Sequence, residues 1–183
     1  RWRHRFSVLT AASVLVLIFI GGLVTSTGSG LSVPDWPLSY GKLMPPMEGG
    51  VFYEHGHRMA ATLVGFFALV LACWTARIES RRSVRQLAWG GLAMVVLQGV
   101  LGGVTVLFLL PPAISIAHGC LAQAFLCLTI ALAYFTSNEW LRGEGQPQRL
   151  DETGLRTAAT VAASLAFLQL VLGAVMRHLG AGL

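Results

Sequence analysis

Three side chains in this sequence have types and spacing suited to chemistry. They are Glu54 and His57, three apart in Tyr53-Glu54-His55-Gly56-His57-Arg58, and His118 in Ile116-Ala117-His118-Gly119. An imidazole exchanges a proton near neutral pH and, when neutral, ligates metals through a ring nitrogen. On a helix that begins near Glu54, positions 54 and 57 share a face while His55 points elsewhere. The carboxylate can then orient or tune the imidazole, or handle protons from a bound substrate. The alternative for this pair is an interfacial polar cluster that ends a helix near the headgroups. His118 weighs against that alternative, because an ionisable group about one and a half turns inside a membrane span is costly and needs a reason. A structural histidine bonded to a neighbouring helix is the competing reason.

The elements that must position these residues follow from composition. With 183 residues, 55% hydrophobic and 11% charged, and a mean hydropathy of +0.67, the chain has too little polar surface to cover a soluble globule. Apolar runs fall at roughly 7–25, 59–76, 87–110, 113–136 and 157–176. Each is near the ~20 residues that cross ~30 Å of hydrocarbon as a helix. None has the short length or strict alternation of barrel strands, and a bilayer leaves no water for unpaired backbone groups. A cleaved signal peptide is the alternative for the first run, but its apolar core is longer than a typical signal and the polar stretch after it belongs to a motif described below. The expected fold is an all-α integral membrane protein: a four-helix transmembrane bundle plus a fifth transmembrane helix.

The net charge of +5 does not mark a nucleic-acid binder, because the charge is sorted by topology. Basic residues concentrate at Arg1, Arg3 and Arg5; at Arg77, Arg81, Arg82 and Arg85; and at Arg142, Arg149 and Arg156, which alternating spans place on one side. Only Lys42, Arg58 and Arg177 fall on the other. Lys and Arg accumulate on the cytoplasmic side, so the N-terminus is expected inside and residues 26–57 form an external loop. Cys73, Cys120 and Cys127 all fall in apolar spans, where they read as small buried residues rather than disulfide partners.

This topology brings the histidines to one depth. The third connection is only Pro111-Pro112, so the second and fourth spans both run inward from the outer surface. Zinc would need three or four converging ligands, and the thiols lie at the wrong depth. Haem iron needs only two imidazoles and apolar walls. Gly119 and Ala60 beside the histidines leave room for a macrocycle edge, and no Cys-x-x-Cys-His is present for covalent attachment. Arg58 can pair with a haem propionate or snorkel to water.

The external loop carries Trp36, Tyr40, Phe52 and Tyr53 among prolines and glycines, as in a turn-rich cap packed on the membrane surface. Gly21-Gly22-Leu23-Val24 at the end of the first span recurs as Gly173-Ala174-Val175-Met176 at the end of the fifth. Thr27-Gly28-Ser29-Gly30-Leu31 recurs as Leu179-Gly180-Ala181-Gly182-Leu183. We therefore expect a first four-helix unit over 1–142, a cytoplasmic linker over 143–156, and over 157–183 the first helix of a second unit that continues in a longer protein. Gly21, Gly22, Gly102, Gly103 and Gly173 sit at similar depth and are expected to serve close helix packing. His178 aligns with Ser26 in the repeat and is expected at the interface; His4 is expected in a cytoplasmic tail.

Taken together, Gly21-Gly22-Leu23-Val24, Thr27-Gly28-Ser29-Gly30-Leu31, Pro34-Asp35-Trp36-Pro37, Glu54-x-x-His57-Arg58 and His118 resemble the haem A synthase family of cytochrome oxidase assembly enzymes. The resemblance spans nearly the whole chain. It implies two similar four-helix halves, oxidation of the haem O methyl group to the formyl group of haem A, and haem b as cofactor. It makes His57 and His118 the paired haem ligands of the first half, with Arg58 at the haem edge, and Glu54 the catalytic carboxylate near the reacting haem. It also implies an inner-membrane location, a surrounding of membrane lipid, a haem O synthase that supplies the substrate, and an electron donor. Self-association as a homo-oligomer is compatible with it. This sequence departs from the family pattern in three ways. Val33 and Ser39 stand where many members have cysteines flanking Pro-Asp-Trp-Pro, Thr25 stands where many have arginine, and the second histidine pair is not in the chain. The rival readings are a non-catalytic bis-histidine b-type cytochrome that passes electrons, and a transporter or scaffold with structural histidines.

Overall fold

The computed structural model describes residues 1–143 and 152–178. Its helices are α1 (Trp2–Ser26), α2 (Gly50–Ile78), α3 (Arg82–Leu107), α4 (Pro112–Phe135), the short α5 (Asn138–Arg142) and α6 (Glu152–His178). No strand occurs among the described residues; a lone Ser39–Lys42 bridge closes a loop turn. Five helices are long and apolar enough to cross a membrane. The protein is therefore an all-α, multi-pass membrane protein.

The first four long helices form a closed ring in which α1 touches α2 and α4, and α3 touches α2 and α4. That leaves α2 and α4 on one diagonal, without direct backbone contact, while α6 packs outside the ring against α4. Two apolar clusters fill the ring from its inner end to mid-depth. Leu71, Ala72, Val84, Ala88 and Leu132 pack with Phe6 and Phe135, and Val14, Val64, Ala68 and Phe125 pack with Leu17 and Met94. In lipid such contacts hold helices together by dispersion and close fit rather than by expelling water. Leu128 nestles against Gly91, where an added methyl would sit 2.9 Å from its Cδ2.

Chain reversals set where the spans begin and end. Gly28 leaves α1 at φ +65°, while the N–H groups of Thr27 and Ser29 return to Leu23 and Val24 carbonyls, a glycine C-terminal cap. Gly49, at φ +53°, starts α2 at Gly50. The external loop is accordingly 27–49, shorter than the 26–57 expected, and Glu54 and His57 lie inside the span rather than at its start. Leu109 and Leu110 adopt φ +57° and +61°, and this tight reversal ends α3 at Leu107, three residues earlier than expected. Residues 152–156, expected in the linker, belong to α6; positions 144–151 and the repeat's 179–183 lie outside the described residues.

The inner end is locked by an ion cluster that the sequence reading took only as a topology signal. Glu79, between α2 and α3, accepts from Arg81 Nε and Nη2, each at 2.9 Å, and pairs with Arg3 of α1 at 2.9 Å. Arg81 also donates to the Phe135 carbonyl of α4 at 2.8 Å, so one carboxylate ties all four helices. His4 is not in a tail: α1 starts at Trp2, and His4 Nδ1 lies 3.0 Å from the Ala133 carbonyl of α4. The cysteines are also less uniform than expected. Cys73 and Cys120 are half-buried, and Cys127 is exposed, because it faces the groove between α4 and α6 beside Phe167.

Arg81, then Arg3, hold the Glu79 carboxyl at about 2, below its ordinary 4.5. A depressed carboxyl stabilises the fold fully above the ordinary value, and the contribution is lost as pH falls through the lowered one. Glu79→Gln should therefore cost about 3 kcal/mol at pH 7. In micellar thermal unfolding, the gap between wild type and variant should narrow below about pH 4.5 and close near pH 2.

Candidate functional site

His57 enters from α2, and its ring lies on Gly21 of α1, where a methyl would sit 3.1 Å from Cε1 and 3.6 Å from Nδ1. His118 enters from α4 and lies on Gly102 of α3, where a methyl would sit 3.5 Å from Cε1. Each imidazole therefore crosses from its own helix to a neighbour's bare backbone. The two rings lie within electrostatic range of one another. Both Nδ1 atoms are buried without a hydrogen-bond partner. The expectation that these glycines serve close helix packing is corrected in part: Gly21 and Gly102 make room for imidazoles, and Gly22 and Gly173 meet nothing within 4 Å.

Around the pair stand further buried polar atoms without partners, namely Gln98 Oε1 and Ser115 Oγ. Gln98 of α3 donates through Nε2 to the His118 carbonyl at 3.1 Å, pinning the α4 backbone at the ligand's own position. An unpartnered buried polar atom costs free energy comparable to a lost hydrogen bond. Four of the seven such atoms among the described residues belong to the histidine pair and its neighbours Gln98 and Ser115. Among the described residues no three His, Cys, Asp or Glu side chains converge, so the donor set is two imidazoles in apolar walls. That set suits a haem iron with its two axial positions, and bare backbone at Gly21 and Gly102 keeps the ligand rings clear of the helices that back them.

The outer loop is anchored by Glu54 and Arg58. Glu54 is 4% exposed; its Oε1 pairs with Arg58 at 2.6 Å and its Oε2 accepts the Val33 N–H at 2.8 Å. Arg58 also donates to the carbonyls of Asp35 at 2.7 Å, Leu38 at 2.9 Å and Val33 at 3.3 Å. The structure thus brings His57 and His118 together, but it turns Glu54 and Arg58 toward the loop. His55, to which the sequence reading gave no role, is buried there with Nδ1 2.8 Å from Ser39 Oγ. Its signal was available only in part: it is one residue from Glu54, but its partner lies 16 positions away. Val33 and Ser39 are both fully buried and serve this network.

Asp35 shapes the turn of the loop, accepting the N–H groups of Gly41 at 2.8 Å and Tyr40 at 2.7 Å. The Gly41 N–H first, then the Tyr40 N–H and the Arg58 charge, hold its carboxyl below the usual carboxylate range. Next to it, Trp36 lays its indole on Gly103 of α3, one residue beyond the glycine that backs His118. A methyl on Gly103 would sit 2.6 Å from indole Cδ2 and 2.8 Å from Cε2. Gly103→Ala should therefore lift Trp36 at a cost of about 1–3 kcal/mol. The loop should then be cleaved faster in limited proteolysis, with red-shifted tryptophan emission; an unchanged cleavage rate would show that the indole does not anchor the loop.

Comparison with known proteins identifies the family. The family model described as cytochrome oxidase assembly protein, COX15-CtaA, matches residues 4–183. The chain is 34% identical over 188 residues to a protein named Heme A synthase from Symbiobacterium thermophilum, covering 97% of this chain and 60% of that one. A Heme A synthase from Shouchella clausii is 34% identical over 142 residues, covering 73% and 46%. One from Alkalihalophilus pseudofirmus is 31% identical over 130 residues, covering 69% and 44%. The chain thus aligns with 60% or less of each of these relatives. No solved structure matches. With the family model running from the first turn of α1 to the last residue, this chain belongs to the haem A synthase family of cytochrome oxidase assembly proteins.

Proposed function

We propose that the chain forms a haem-holding unit of a haem A synthase, in which His57 and His118 are the axial ligands of one haem iron. The full-length enzyme then oxidises a methyl group of haem O to the formyl group of haem A. The observation that carries this reading is the pair of imidazoles entering from diagonal helices, each lying against a glycine of a neighbouring helix. Haem, when bound, supplies the redox chemistry. The relatives' name, Heme A synthase, supports haem A as the product; haem O as substrate and haem b as resident cofactor are part of this proposal.

The residues of this chain divide the remaining work. His57 and His118 fix the macrocycle between α2 and α4, and Gln98 fixes the backbone that carries His118. Glu54 is a positioning residue in this reading. It lies one turn from His57, but both its oxygens are taken by Arg58 and Val33, so it acts by holding the loop over the pair. Arg58, whose donors go to Glu54 and loop carbonyls, shares that role rather than reaching a propionate. The inward concentration of arginines supports an inner-membrane protein with a cytoplasmic N-terminus, surrounded by membrane lipid. Haem O would come from a haem O synthase, and a separate electron donor would serve the reaction.

The test uses the purified full-length protein. His57→Ala and His118→Ala should each abolish the Soret band of the haem held here. Glu54→Ala should keep that band, lower conversion of added haem O at least tenfold, and speed proteolysis of the loop. A Soret band untouched by both histidine variants would leave a scaffold with structural histidines. Haem b as the sole pigment, with no conversion of haem O by the wild type, would establish the bis-histidine cytochrome instead. That second reading draws support from the engagement of Glu54 in the loop.

A further inference from the structure

We infer that the cleft between the first turn of α1, the last turns of α4 and α5 holds the headgroup of a phospholipid with a primary ammonium, of the phosphatidylethanolamine kind. The cleft has a volume of about 420 Å³ and is lined by His4, Ile130, Tyr134, Asn138 and Glu139. It lies at the inner end of the bundle, the end opposite the histidine pair.

The cleft follows from a short local fold. α4 ends at Phe135, and Ser137 caps α5 by accepting the Trp140 N–H at 3.1 Å. The Trp140 ring packs edge-on against Phe135 at 5.0 Å and Tyr134 at 5.3 Å. This folds α5 back beside the end of α4 and sets Asn138 and Glu139 on the same cleft as His4 of α1. The level is that of the headgroups. His4 follows Arg3, whose guanidinium joins the Glu79 cluster, and Tyr134 and Trp140 are exposed, as amphipathic rings are where they settle at a membrane interface. Ile130 lies one turn deeper on α4 and is 53% exposed, so an apolar track for an acyl chain runs from the cleft toward the hydrocarbon.

The lining selects the headgroup. The Ala133 carbonyl only accepts, so His4 Nδ1, 3.0 Å away, carries the ring proton, and the other nitrogen of the neutral ring is an acceptor. The Glu139 carboxylate is acceptor-only, and it takes part in none of the ion pairs among the described residues. The Tyr134 hydroxyl and the Asn138 amide oxygen add further acceptors. Among the described residues no lysine or arginine lines the cleft. A site rich in acceptors and carrying one negative charge takes a cation with N–H donors, and at headgroup depth that cation is a lipid ammonium. Counter-charges for the lipid phosphate come from the same turn of α1. Arg1 is three residues before His4 and shares its face, and Arg5 is adjacent, its guanidinium 5.1 Å from the Trp2 ring.

The full-length protein in detergent is titrated with phosphatidylethanolamine, phosphatidylcholine and phosphatidylglycerol of identical acyl chains, and bound lipid is counted by native mass spectrometry. Phosphatidylethanolamine should bind about fivefold more tightly than phosphatidylcholine, whose quaternary ammonium has no N–H to donate. Glu139 is exposed, so Glu139→Gln should leave unfolding in lipid-free micelles unchanged while removing most of that preference; His4→Phe should remove part of it. Equal binding of the two lipids by the wild type, or a preference that both variants keep, would overturn the site. Tightest binding of phosphatidylglycerol would overturn it in favour of an anionic headgroup held by the arginines. A photocrosslinking residue at position 138 should give a lipid adduct in membranes. A protein adduct there instead would mean that the cleft docks a polypeptide, which would overturn the lipid assignment.

Discussion

A polar atom buried inside a helical bundle in lipid must find a partner within the protein, because no water reaches it. Most of this structure follows from that constraint. At the inner end Glu79 is closed by Arg3 and Arg81. In the outer loop Glu54 is closed by Arg58 and the Val33 N–H. Between them the bundle is apolar to mid-depth. Among the described residues the exceptions are seven atoms: Arg3 Nη1 and Thr75 Oγ1 toward the inner end, His55 Nε2 beneath the loop, and one each on His57, His118, Gln98 and Ser115. Four of the seven belong to the histidine pair and its neighbours, so that is where a bound group would meet the most unpartnered polar atoms.

The two locks fix the helices around the histidine pair. Glu79 with Arg81 ties the inner ends of four helices, and the apolar clusters continue the packing outward, so the diagonal between α2 and α4 is set by its neighbours. At the outer end, Arg58 holds three loop carbonyls, and Trp36 presses on the α3 backbone next to the residue that backs His118. Glycines at Gly21, Gly102 and Gly103 are what allow rings, two imidazoles and one indole, to lie directly on helix backbones. A methyl at Gly103 would displace the indole and one at Gly21 would crowd the His57 ring, whereas one at Gly102 would meet His118 at ordinary contact distance.

Much of this was legible in the sequence because it follows from one-dimensional quantities. Apolar run length gave the spans, and arginine placement gave their sense. The short Pro111-Pro112 connection put His57 and His118 at one depth. The parts that were not legible depend on rotation about helix axes and on long-range partners. A three-residue spacing puts Glu54 and His57 on neighbouring faces, but it does not reveal that Val33 and Arg58 draw the carboxylate toward the loop. The same ambiguity hid His55, whose partner Ser39 comes from the loop. Glycine at Gly21 reads identically whether it admits a helix or a ring. Glu79 carries no signal in the sequence, because its partners Arg3 and Arg81 meet it only once the helices pack.

The most direct test of the central claim is a density map of the haem-loaded full-length protein in lipid. It should show iron between the imidazoles of His57 and His118, with the ring backed by Gly21 and Gly102 and the plane between α2 and α4. A map in which the two imidazoles bond protein groups, and every haem iron is ligated by other residues, would contradict the account.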